Sequence, residues 1–172
     1  MILSKSEIRS LIHQSPPLIE GFIDIEQQLQ PNGFDITVRE VSLFQDAGQI
    51  GVSNASRRLP MVAPLVFNGL GYMELMAGPY LITFNEIVNL PGDLMALARP
   101  RSSLLRCGVA VHNAAWDAGY SGRSQALMVV YNPRGFALEK NSRIVQLVFF
   151  RLKQETEGYQ GVYQRENINP TP

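Results

Sequence analysis

From Pro17 onward the chain carries almost no helical periodicity. Short runs rich in Val, Ile, Phe, Thr and Tyr alternate with clusters of turn-forming residues, and that rhythm restricts the fold more than any other feature. Residues 34–44 alternate loosely. Leu65-Val66-Phe67 meets a turn signal at Asn68-Gly69. Gly78-Pro79 precedes a strand over 80–84, and Leu90-Pro91-Gly92-Asp93 turns the chain again. Further strands are predicted over 109–111, 126–131 and 144–152. Leu94, Leu97 and Ala98 have the spacing for a short helical turn across 93–98, and Asn132-Pro133-Arg134-Gly135 reads as a hairpin turn. Gly51 to Pro60 is small and polar and reads as a loop. Many short strands with one clear helix predict an all-β fold, a distorted β-barrel or jelly roll.

That one helix lies at the N-terminus. Ser4 and Glu7 form a capping-box pattern, and Ile8, Leu11 and Ile12 share a face at helical spacing. A short helix over 5–13 is expected, stopped before Pro16-Pro17. Its expected role is to plug one end of a barrel or sheet. At the other end, residues 153–172 are polar and close on Pro. The expected division is a barrel domain over 1–152 and a C-terminal arm over 153–172.

Composition narrows the function classes. Hydrophobic residues make up 45%, enough for a core, and 172 residues suit one domain. Lys plus Arg equals Asp plus Glu at 15 each, so there is no electrostatic footprint for nucleic acid or an anionic membrane. Cys107 is the single cysteine, which excludes an internal disulfide and a Cys-built zinc site. His13 and His112 lie far apart and form no ligand pair. No apolar run approaches the ~20 residues that span a bilayer, and MILSKSEIRS lacks the pattern of a secretory signal. A cytoplasmic protein is expected. Neither a GxxxxGK[ST] loop nor the H-x-E…P-C-x-x-C pattern of zinc deaminases occurs.

The potential chemistry is concentrated in residues 99–122, RPRSSLLRCGVAVHNAAWDAGYSG. Arg101, Ser102, Ser103 and Arg106 place two guanidinium groups and two hydroxyls close together. They could bind phosphate through charge and hydrogen bonds, or form a solvated turn after Pro100. Asp117 could be a general base that deprotonates water, or simply a turn residue before Gly119. Tyr120 could lie against a sugar and exclude a 2′-hydroxyl, or pack in the core. Gln146 sits at the centre of an apolar strand and needs a partner if buried. Asp35 follows the turn sequence QPNG and could hold a metal through water or cap that turn. His112 and Trp116 flank the same segment, where packing roles suffice for both.

Taken together, QPNGFDITV, RSSLLR, WDAGYSG and RIVQLVF resemble the motifs of the dUTPase and dCTP deaminase superfamily, in the same order and over most of the chain. The resemblance implies a homotrimer of distorted β-barrels with active sites between subunits. It implies that Arg101, Ser102, Ser103, Arg106 and Gln146 contact phosphates, and that residues 113–117, including Asn113 and Trp116, form the hairpin that reads the pyrimidine, largely through backbone groups. Asp117 would contact the deoxyribose and position water. Tyr120 would stack under the sugar and reject ribose. Asp35 matches the acidic residue of the first motif. Mg²⁺ would be held mainly by the triphosphate and water. In the tail, Tyr163 and Arg165 are candidate substrate contacts. The tail is similar to that of the deaminases, yet Val162 and Glu166 stand where those enzymes usually carry Lys and Gln.

The resemblance leaves a diphosphatase and a deaminase to be separated. The superfamily's deaminases use a glutamate ten residues after the aspartate, and here that position is Leu127, between Ala126 and Met128. No acid lies between Asp117 and Glu139. An aliphatic side chain cannot shuttle a proton to C4 of cytosine, so the expected activity is dUTP diphosphatase. The alternatives are a dCTP deaminase, alone or bifunctional, a diphosphatase for another deoxynucleotide, and a non-catalytic nucleotide-binding relative.

Overall fold

The computed structural model describes residues 1–168. The N-terminal helix, α1 (Lys5–Ile12), starts where its cap lies: the Ser4 hydroxyl accepts from the Glu7 N–H, and the Glu7 carboxylate accepts from the Ser4 N–H at 2.8 Å. Its apolar face buries Ile8 and Ile12 in the main core. Two short strands flank a single helical turn: β1 (Ile19–Glu20), α2 (Ile25–Gln28) and β2 (Leu29–Gln30). The longest strand follows, β3 (Gly33–Phe44). Then come β4 (Val62–Pro64), β5 (Tyr72–Leu75), β6 (Gly78–Phe84), β7 (Ile87–Asn89) and β8 (Leu94–Pro100). Helix α3 (Ser102–Arg106) leads into β9 (Val109–His112), β10 (Ser121–Gly122), β11 (Gln125–Val130), β12 (Phe136–Glu139) and β13 (Arg143–Arg151).

Eight strands make one sheet with the path β8-β13-β3-β6-β11-β9, and β2 and β4 also pair with β3. The remaining strands form two small sheets, β1-β7-β10 and β12-β5. The bend that makes this a nearly closed barrel lies in β3. Its first half pairs with β13 and its second half with β6, and the register shifts on both sides of the handover. Such irregularities bend a strand and raise its twist. The interior is filled by Phe34, Ile36, Ile82, Phe84, Leu147 and Phe149, all fully buried.

One buried carboxylate ties the end of β6 to β3. Glu86 accepts from the Thr37 N–H at 2.9 Å, the Thr37 hydroxyl at 2.7 Å and the Gln28 amide at 2.7 Å. Burial pushes the Glu86 carboxyl above its ordinary range, and these hydrogen bonds oppose the shift.

Four local expectations need correction. Residues 93–98 are not a helical turn but most of β8, which pairs with β13 along its whole length. Leu94 and Ala96 are buried and Leu97 is 45% exposed, so the period is two. A full row of backbone partners outweighs the helical spacing of three side chains. The 132–135 turn forms, with the Gly135 N–H donating to the Asn132 carbonyl, but it does not close a hairpin. β12 pairs instead with β5, and β11 lies between β6 and β9. Around Leu65 the strand is the preceding triplet, β4. Finally, the segment after Pro100, for which a solvated turn is one reading, is the single-turn helix α3.

Candidate active site

β9 and β11 pair as the legs of a long hairpin whose tip spans residues 113–124. The tip is held from below. The Trp116 N–H and carbonyl bond to Ala96 of β8 at 3.0 and 2.9 Å, and its buried indole donates to the Ser124 hydroxyl at 2.9 Å. With Trp116 turned inward, its neighbour Asp117 is exposed. The chain then turns tightly: the Tyr120 N–H donates to the Asp117 carbonyl at 3.1 Å, and Gly119 takes φ 79°. Glycine is required there twice over, since a Cβ would also lie 2.5 Å from the Gly158 Cα of the tail.

This tip borders a cleft of about 670 Å³, lined by Asp117, Tyr120, His112 and Leu127 among others. Residues 153–168 form no strand but fold back over the tip, and Tyr159, Tyr163 and Glu166 complete the wall. Tyr163 is 36% exposed and lies under the Arg57 guanidinium, 5.5 Å from the ring centre, which joins the tail to the 51–60 loop. Arg165 takes φ 62° and its N–H donates to the Ser121 carbonyl at 2.7 Å.

Tyr120 is 5% exposed. Its ring and that of Tyr159 pack in a T-shaped arrangement, centres 5.8 Å apart at 71°, and its hydroxyl donates to Glu166 at 2.8 Å. Burial, then the Glu166 charge, push the Tyr120 hydroxyl far above the usual phenol range, so it stays a neutral donor. Burial also pushes the Glu166 carboxyl up, against the Tyr120 hydrogen bond.

The basic cluster forms a second group. Asp35, Gln146 and Arg99 are in register across β3, β13 and β8, so their side chains share one face. Arg101 follows Arg99 by two residues, and its Nε lies 3.2 Å from the buried Asp35 carboxylate. Arg143 approaches the same oxygen at 3.4 Å. Burial raises the Asp35 carboxyl, and the two guanidiniums oppose that shift. Gly33 makes room for Gln146, because a Cβ there would lie 2.9 Å from its Cγ. Ser102 and Ser103 are exposed on α3, and Arg106 folds back to donate to the Ser102 carbonyl at 3.0 Å.

Within one chain the two groups do not meet. Arg101 and Arg143 border a separate cleft of about 540 Å³, and none of its lining residues lines the Asp117 cleft. Asn113 lines neither, and its buried Oδ1 has no hydrogen-bond partner among the described residues. No group of three or more His, Cys, Asp or Glu side chains suited to a metal occurs among the described residues. Asp35, tied between two guanidiniums, does not fit a direct metal ligand.

The sequence did not point to Arg143 or to the Glu166–Tyr120 contact. Arg143 lies three residues from Gln146, a spacing that puts strand side chains on opposite faces, and it approaches Asp35 beside the register shift between Arg143 and Val145, which no local pattern announces. The glutamate is 46 residues from its partner, and no local pattern announces it.

The nearly closed antiparallel sheet is the fold of the dUTPase and dCTP deaminase class. The chain belongs to the dCTP deaminase-like family, whose sequence model matches residues 2–152. It is 50% identical over 169 residues to the probable deoxyuridine 5′-triphosphate nucleotidohydrolase of Methanosarcina mazei, covering 98% of this chain and 99% of that one. The protein of the same description from Archaeoglobus fulgidus is 48% identical, over 98% of each chain. Among solved structures, 2′-deoxycytidine 5′-triphosphate deaminase from Agrobacterium tumefaciens shares the fold, with a TM-score of 0.62 at 23% identity over 86% of this chain. The chain spans about half, 47%, of that structure's length.

Proposed function

We propose that this protein is a dUTP diphosphatase, hydrolysing dUTP to dUMP and pyrophosphate. The observation that carries the reading is the wall of the hairpin cleft. Asp117 stands exposed there without a side-chain partner among the described residues, while Leu127, opposite His112, puts hydrocarbon where a deaminase needs an acid. The two archaeal relatives, alike over nearly their whole length, support the same activity.

In this mechanism Asp117 takes a proton from water as its oxygen attacks the α-phosphorus. The bond from that phosphorus to the bridging oxygen breaks, and pyrophosphate leaves. Arg101, Ser102, Ser103, Arg106 and Gln146 hold the phosphates and offset the developing charge. The backbone of the 113–117 hairpin reads the pyrimidine, over the floor that Trp116 anchors. Tyr120 bars a 2′-hydroxyl, and Tyr163 and Arg165 of the C-terminal arm close over the nucleotide. Mg²⁺ carried by the triphosphate would supply further charge neutralisation.

We further propose a homotrimer. The separation of the Asp117 cleft from the Arg101 cluster within one chain supports sites that take one half from each of two neighbours. The barrel of 1–152 would form the shared body and 153–172 the arm, of which 169–172 lie outside the described residues. Among the described residues no helix is long and apolar enough to cross a membrane.

A panel of dUTP, dCTP, dTTP and UTP with Mg²⁺, with products separated by chromatography, tests bond, base and sugar together. Pyrophosphate and dUMP from dUTP are expected. A uracil nucleotide from dCTP would restore the deaminase reading, and binding of dUTP without pyrophosphate release would establish a non-catalytic relative.

A further inference from the structure

We infer that Glu166 is a positioning residue that locks the Tyr120 ring and thereby sets the preference for deoxyribose; the inference rests on the diphosphatase reading above. Three groups fix that ring. Gly122 lies against it so closely that a Cβ would come 2.4 Å from the hydroxyl. Tyr159 packs against it in a T-shaped arrangement with the ring centres 5.8 Å apart, and Glu166 accepts from its hydroxyl at 2.8 Å. Two of the three come from the tail, so the wall of the sugar site is assembled only when the tail is seated.

The seat of Glu166 is over-determined. Its carbonyl accepts from the Arg123 N–H at 2.9 Å, and the preceding Arg165 N–H donates to the Ser121 carbonyl at 2.7 Å. Gln164 accepts from the Ser121 N–H at 2.8 Å and donates to the Gly119 carbonyl at 2.9 Å. Asn167 donates to the Arg123 carbonyl at 3.0 Å. Arg165, on one side of Glu166, takes φ 62°, in the left-handed region that residues other than glycine and asparagine rarely enter, and Asn167 on the other side takes φ 52°. Such strain persists where the surroundings over-determine it. A carboxylate half-buried in a nucleotide cleft is otherwise unfavourable beside a triphosphate, and among the described residues its hydrogen bond goes to the residue that would face the sugar.

The chemistry predicts which substitutions matter. Glutamine keeps an acceptor oxygen for the Tyr120 hydroxyl, whereas alanine removes it and leaves that hydroxyl buried without a partner. A loosened ring admits a 2′-hydroxyl, so the loss falls on sugar discrimination and not on turnover alone.

The test compares kcat/KM for dUTP and for UTP in the wild type, Glu166→Ala, Glu166→Gln, Tyr120→Phe and the double variant of Glu166→Ala with Tyr120→Phe. We expect the dUTP/UTP ratio to fall roughly tenfold or more in Glu166→Ala and Tyr120→Phe, in line with a lost buried hydrogen bond. Glu166→Gln should stay within about threefold of wild type, and the double variant should fall no further than either single one. A merely structural role for Glu166 would lower both substrates equally and leave the ratio in place. An unchanged ratio in both Glu166→Ala and Tyr120→Phe overturns the inference, as does additivity in the double variant. A wild type that leaves dUTP intact overturns the diphosphatase reading instead, and the wild-type arm alone shows it.

Discussion

Replacing Asp117 with Asn removes one charge and one proton acceptor while keeping the shape of the side chain. Among the described residues, the only hydrogen bond at this position is made by the backbone carbonyl, which accepts from the Tyr120 N–H at 3.1 Å. The side chain is exposed. Stability should therefore change by no more than about 0.5 kcal/mol, as for a surface substitution away from any special feature. At this chain length that is a shift of about 2 °C or less in Tm. Binding should hold or tighten. A unit charge removed from about 4 Å in water-like surroundings is worth about 1 kcal/mol, which favours the triphosphate by up to about fivefold. Turnover, by contrast, loses the general base of the proposed mechanism. That costs roughly 10²–10⁴-fold, or about 2.7–5.5 kcal/mol of barrier at 1.36 kcal/mol per tenfold. The assay is pyrophosphate release from saturating dUTP with Mg²⁺, beside calorimetric binding of a non-hydrolysable analogue and a thermal melt. Turnover within tenfold of the parent, in a variant that melts normally, would refute the reasoning. So would a loss of binding that matches the loss of rate.

Other perturbations probe different layers of the structure. If neighbouring subunits each supply half a site, mixing refolded Asp117→Asn and Arg101→Ala chains should restore about a quarter of wild-type turnover, the chance that a random neighbour pair contributes two intact halves; no recovery above the parents would show that each chain works alone. Glu86→Ala strands the Thr37 N–H and hydroxyl and the Gln28 amide, and should cost about 2–4 kcal/mol in denaturant unfolding. The raised Glu86 carboxyl also predicts a pH signature. The folded state holds that proton more tightly than the unfolded chain, so wild-type stability relative to Glu86→Gln should grow as pH falls from the raised value towards about 4.3, then level off. A difference that shrinks over that window would contradict the burial argument. Gly122→Ala forces a Cβ onto the Tyr120 hydroxyl and should cost about 1–3 kcal/mol of stability, read from the thermal melt.

Much of this molecule was legible in one dimension because its causes are local. Ser4 and Glu7 are three residues apart, so their capping box could be read directly, and the helix begins where it says. The strands over 34–44, 80–84 and 126–131 were visible because β-branched and aromatic runs meet turn residues at both ends. The Asp117–Gly119 turn was visible for the same reason. The four motifs resembling the superfamily are each short and contiguous, which is why the family could be read before any strand was placed.

Where local chemistry was ambiguous, partners far along the chain decided. Residues 93–98 could coil or extend, and β13, some fifty residues later, offered a row of backbone donors and acceptors that settled it. The 132–135 turn could have closed a hairpin, but β5 took β12 instead. Asp35 looked like a metal or turn residue, and strand register made it the anchor of Arg101 and Arg143. Glu166 reaches Tyr120 only because the tail doubles back across the hairpin tip. Residue types alone thus named the chemistry available to this protein, since acids, guanidiniums and hydroxyls carry it wherever they stand. Which of them face one another is a matter of long-range pairing and burial, whose free energy depends on contacts that no neighbouring residues encode.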